Sequence, residues 1–231
     1  LRPPREAAVA AGLDTQQQIF DRNADDRRAF EALEEHYFLE GDWPALVALY
    51  RSRLAAPSLA DQPGQRAPLL FRLGQILEER ILDPEAASEV YWDLARLDPG
   101  NRAALRQLRG IHERGERWDL VLQIAEIEGQ TDMPRSERAV FEAELGQIWR
   151  RHLDDPEEAR SAYERALDAD PDHPAALEGL AELHEEADRP QEAADVLGRL
   201  ARRLRGPDRP AGPDLLRARA RGRSVPGDRR G

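Results

Sequence analysis

Leu73-Gly74-Gln75-Ile76 returns as Leu145-Gly146-Gln147-Ile148, and the same spacing of 72 residues carries other blocks across the chain. Asp83-Pro84-Glu85-Ala86-Ala87 falls on Asp155-Pro156-Glu157-Glu158-Ala159, Tyr91 on Tyr163, and Leu97-Asp98-Pro99 on Ala169-Asp170-Pro171. Ala104-Leu105 meets Ala176-Leu177, and His112-Glu113 meets His184-Glu185. One offset kept over such a span marks a duplication or an array. It restricts the fold strongly, because a repeated element of this size buries its apolar face only against its neighbours.

The repeating element is helical. Val, Ile and Thr together supply only 16 of the 231 residues, too few β-branched side chains for a sheet core. Inside the 72-residue period a smaller one is visible: a Leu-Gly or Leu-x-x-Leu helix, a turn, and a second helix closed by Pro99 or Pro171. Asp83 and Asp155 are placed to cap the second helix, with Pro84 and Pro156 in its first turn, where a missing N–H has no consequence.

Leu70, Leu73-Gly74, Leu77, Ala87, Tyr91, Leu94, Pro99 and then Leu145-Gly146, Trp149, Ala159, Tyr163, Ala166, Pro171 resemble the tetratricopeptide repeat family, in a bacterial, high-GC form. Three looser copies keep the spacing. The first has Phe30, Leu33, Tyr37, Gly41, Trp43, Leu46 and Tyr50; the third has Leu105, Leu108, His112, Trp118, Val121 and Ala125. The fifth has Leu177, Leu180-Ala181, His184, Ala193, Leu197 and Leu200. Glu34 and Arg109 depart from the pattern, since a small residue belongs there. The resemblance implies an all-α fold, an α-solenoid of about five helix pairs in a right-handed superhelix. The pairs fall near residues 27–60, 67–101, 102–133, 139–173 and 174–204. Residues 1–26 form an N-terminal segment whose stretch 13–22 reads as the trailing helix of a preceding repeat. Residues 205–231 read as an Arg-rich flexible tail with the start of a sixth repeat. Both edges suggest a segment of a longer array.

In this family the first helices of the pairs line a concave groove that commonly holds an extended peptide or a partner helix. By resemblance the groove positions are Glu31, Glu35, Phe38, Phe71, Gln75, Glu78, Arg106, Arg114, Gln147, Arg150, Arg151, Glu178, Glu182 and Glu185. Their charge runs from acidic to Arg-rich and back, which suits a protein segment with basic ends and an acidic or polar middle. Solvated faces with pairs inside each helix are the competing reading. The form of the family that grips chaperone tails uses Lys and Asn. This chain has no Lys, and its two Asn, Asn23 and Asn101, lie outside the groove.

Few other chemistries are supported. Without Cys there is no disulfide, thiolate or Cys-ligated zinc, and without Lys no Schiff base or P-loop lysine. The five His have no metal-binding spacing; His112 and His184 are equivalent under the 72-residue offset and stand where the family packs Tyr. Adjacent carboxylates such as Glu34-Glu35 do not face each other on a helix. No cofactor, metal or catalytic residue is expected, nor any membrane span, and we expect a soluble, cytoplasmic scaffold that binds a protein or peptide. Its oligomeric state is left open. Residues 201–231 carry ten Arg against three Asp, a net of +7, so that residues 1–200 hold −18 of the overall −11. An Arg-tailed adaptor for nucleic acid is the alternative, disfavoured by the acidic body; the scaffold segment of a larger multidomain protein is another.

Overall fold

The computed structural model describes residues 5–205, and every regular element among them is helical. The expected Arg-rich tail and sixth repeat lie outside the described residues. Contacts divide the chain between Thr131 and Asp132 into two compact units. The N-terminal unit holds α1 (Arg5–Arg22), α2 (Arg27–Glu40), α3 (Trp43–Leu54), α4 (Pro63–Ile76), α5 (Pro84–Leu97), α6 (Arg102–Arg114) and α7 (Trp118–Gly129). The C-terminal unit holds α8 (Arg135–Arg151), α9 (Pro156–Ala169), α10 (Pro174–Glu186) and α11 (Pro190–Arg205). These are the helix pairs of an α-solenoid.

Helix starts follow local chemistry. Asp26, Asp42, Asp83, Asn101 and Asp155 each accept from a backbone N–H three residues on, at 2.8–3.1 Å. Two first helices begin earlier than the sequence pattern placed them, α4 at Pro63 rather than 67 and α8 at Arg135 rather than 139. A proline pre-sets the backbone at each start, as the first residue of α4 and as the cap Pro134 of α8. α4 then runs through Pro68.

The turns repeat the 72-residue offset in their backbone. α4 continues as a π-turn, Leu77–Ile81, closed by Leu82 in the left-handed region (φ 61°), and the equivalent Asp154 has φ 52°. Glu116 and Asp188, also 72 residues apart, have φ 53° and 55°. In the first pair that turn is made by Gly41, φ 70°, the residue type suited to it.

Inside the pairs, the glycines set the distance. A Cβ on Gly74 would stand 2.5 Å from Cε1 of Tyr91, and one on Gly146 2.5 Å from Cε1 of Tyr163. Tyr163 also lies against α10, where a Cβ on Gly179 would be 2.1 Å from its Cζ. Both tyrosines are fully buried among Ala87, Leu94, Leu105 and Leu108 in one unit and Ala159, Ala166, Ala176 and Leu180 in the other. At the two departures from the small-residue rule the protein compensates with polar partners. Glu34 accepts from the Tyr50 hydroxyl. Arg109, with a side chain 6% exposed, bridges to Glu128, 3% exposed, at 3.0 Å and to Glu113 at 2.8 Å.

Candidate partner-binding faces

The residues expected to line a groove all sit on first helices, and none is fully buried. In the N-terminal unit Glu31 is exposed and bonded to Arg27 at 2.6 Å, an (i, i+4) pair within α2, and Glu35 is exposed on the same helix. Phe38 is 43% exposed; it meets Trp43 edge-on at 5.6 Å, and the Arg72 guanidinium lies 5.7 Å over its ring. Arg80 covers Trp43 in the same way at 5.0 Å. Phe71 is half-buried, 5.9 Å from the Tyr91 ring, and Gln75 is half-buried beside it. Arg106 is exposed on α6. Glu78 and Arg114 are drawn together across the helix pairs into an ion pair, and Glu78 also accepts from the Tyr91 hydroxyl at 3.3 Å.

In the C-terminal unit Gln147 is half-buried, while Arg151, Glu178 and Glu185 are exposed. Arg150 and Glu182 are brought together, and the same guanidinium reaches Glu186 at 3.0 Å. Four of the fourteen expected positions therefore neutralise one another. Taken singly, as neighbours within one helix, these charges show no such pairing. Glu186, Arg72 and Arg80 stand outside the expected set, although the 72-residue offset lays Arg150 on Glu78 and Glu186 on Arg114, a sign reversal that marks paired positions.

The electrostatics are those of packing. Burial pushes the Tyr91 hydroxyl well above the ordinary tyrosine range, and Glu78 and Glu79 push it further. Burial raises Tyr163 as well, but there Arg150 acts in the opposite sense. His112 is buried with its Nε2 3.2 Å from the Ser88 hydroxyl, and burial, then Arg117, holds the imidazole below its ordinary value. A cleft of about 390 Å³ beside Arg150 is walled by Arg160, Arg189, Asp154, Glu157 and Glu186, an even balance of guanidinium and carboxylate groups. Among the described residues no three His, Asp or Glu are grouped to hold a metal, and no helix is long and apolar enough to cross a membrane.

Comparison with known proteins agrees with this architecture. The tetratricopeptide repeat family profile matches residues 151–216. The match to the family lies within these residues. Among solved structures the chain is similar in fold to MamA (41-end) from Desulfovibrio magneticus RS-1, at 16% identity and a TM-score of 0.55 over 80% of this chain and 98% of that one. It is similar to BtubC from P. vanneervenii, at 18% identity and TM-score 0.53, over 91% and 95% of the two chains. A third similar structure is YrrB, described as a TPR protein with an unusual peptide-binding site, at 16% identity and TM-score 0.54 over 85% and 94%. No curated protein sequence matches the chain.

Proposed function

We propose that this protein is a non-enzymatic scaffold whose first-helix faces bind a peptide or helix of a protein partner. The observation that carries the reading is what remains after the internal pairs are set aside. Phe38, Glu35 and Arg106 in the N-terminal unit, and Arg151, Glu178 and Glu185 in the C-terminal unit, stand at least partly exposed on first helices. Surfaces of aromatic and charged residues on a rigid helical framework suit recognition of an extended or helical segment. The family supports the same role, and YrrB is described as binding a peptide.

The test is affinity capture by the full chain, followed by identification of what is retained. Arg106→Glu and Arg151→Glu are the informative changes. Both side chains are exposed, so their reversal leaves helicity and melting midpoint unchanged, while a partner that reads the groove is lost or weakened at least about tenfold. Arg150→Glu would be misleading, because it breaks the bridges to Glu182 and Glu186. Capture of every partner unaffected by both reversals, and by Phe38→Ala, overturns the reading.

A further inference from the structure

The two copies of the 72-residue period differ at one contact where they are otherwise alike. In the N-terminal unit Glu78, in the π-turn that ends the first helix, is bridged to Arg114, the last residue of α6. The equivalents in the C-terminal unit are Arg150, near the end of α8, and Glu186, the last residue of α10, with Glu182 as a second carboxylate. The bridge occupies the same place and its polarity is reversed. In each case the first member is the shielded one, Glu78 at 15% and Arg150 at 14% exposure, against 61% for Arg114 and 58% for Glu186.

Apolar packing does not discriminate between the copies. Ala104, Leu105, Leu108 and Ile111 of α6 correspond to Ala176, Leu177, Leu180 and Leu183 of α10, and all eight are buried. Tyr91 over Gly74 corresponds to Tyr163 over Gly146. A second copy of this chain can thus offer its α10 to α4 and α5 in place of α6. The opposite exchange, α6 onto α8 and α9, is barred by shape. Gly179 leaves no space for a Cβ against Tyr163, and the equivalent residue of α6 is Gln107. Seating α10 on α5 brings glycine where Gln107 stood, so shape does not oppose it. Charge does: Glu78 would then face Glu182 and Glu186, and like charges at such a distance repel strongly when one of them is shielded from water.

We propose that the reversed bridges form an order code, which holds each helix pair to its own successor and suppresses exchange of α10 between copies of the chain. The code works against a wrong arrangement as well as for the right one. Tyrosine tolerates either polarity, since Tyr91 faces a carboxylate and Tyr163 a guanidinium.

The test uses the full chain, refolded from urea at high concentration, with melting midpoint and light-scattering mass as readouts. Arg114→Glu sets a second carboxylate against Glu78; the midpoint falls by about 5 °C, and because α6 and α10 are then repelled alike, the charge bias against exchange is lost and dimer rises. E78R/R114E restores the bridge with the polarity of the other copy. Its midpoint returns to within about 2 °C of wild type, yet it refolds with at least about tenfold more dimer, since the guanidinium introduced at position 78 now attracts Glu186 of a second copy. Reversing the other bridge as well, by adding R150E/E182R/E186R, removes that dimer. An E78R/R114E protein with the wild-type mass distribution overturns the proposal. So does an equal rise in dimer in Arg109→Met, which lowers stability while leaving the Glu78–Arg114 bridge in place, because instability alone would then account for exchange.

Discussion

The ion pair of Arg109 and Glu128 offers a direct measure of what stabilises the third helix pair. Its equivalents 72 residues on are Ala181 and Leu200, both buried, so the protein contains an apolar version of the same contact. Arg109→Met leaves Glu128, 3% exposed, without the guanidinium it meets at 3.0 Å, and stranding a buried charge costs about 3–5 kcal/mol. At about 2–4 °C per kcal/mol for a chain of this size, the midpoint falls by about 10 °C. Arg109→Met/Glu128→Leu removes both charges at comparable volume. Glu113, the other partner of Arg109, is 32% exposed and hydrates when released. Helix propensity is little changed by either substitution. The double variant should therefore recover to within about 1 kcal/mol of wild type or exceed it. Urea unfolding followed by circular dichroism and by tryptophan fluorescence, run as a double-mutant cycle, gives the coupling energy. A double variant as unstable as Arg109→Met would refute the reasoning, for the pair would then be a net source of stability.

Three further outcomes are expected. Gly179→Ala should destabilise by about 1–3 kcal/mol through overpacking on Tyr163, whereas Gly198→Ala, whose nearest neighbour is the Arg202 guanidinium at 3.8 Å, should gain up to about 1 kcal/mol of helix propensity; parallel thermal melts separate them. Leu82, 75% exposed with φ 61°, carries the left-handed penalty of about 1 kcal/mol, so Leu82→Asn should raise the melting midpoint by about 1–3 °C. His112 binds its proton less readily in the folded protein than in the unfolded chain, so the stability it contributes is present above pH 6.5 and lost as pH falls below that value. The urea midpoint should thus drop further between pH 7.5 and 5.5 in the wild type than in His112→Asn.

The repeated architecture was readable from residues whose function is local or periodic. The Asp-Pro starts follow from spacing, and the packing of His112 from the resemblance that sets it where the family has Tyr; the close fit of Tyr91 on Gly74 and of Tyr163 on Gly146 joins residues of the two repeat copies that keep the pattern best. What spacing does not carry is compensation between distant letters. Glu34 and Arg109 read as damage to the pattern until Tyr50 and Glu128 are seen beside them, 16 and 19 residues away. The same holds for the proposed faces. Glu78 and Arg114 are 36 residues apart, as are Arg150 and Glu186, beyond any rule for neighbours on one helix. Glu78, Arg114, Arg150 and Glu182, expected as open groove charges, are therefore engaged with each other.

The two buried tyrosines also differ in their freedom to rotate. Tyr91 is pressed by one glycine, Gly74 of α4, whereas Tyr163 is held between Gly146 of α8 and Gly179 of α10. A half-turn of the Tyr91 ring needs only α4 and α5 to part briefly. The Tyr163 ring can turn only when α8 and α10 both recede from α9. Ring-flip rates of these two side chains would thus report motions of different extent within one chain, the breathing of a single helix pair and the collective loosening of two.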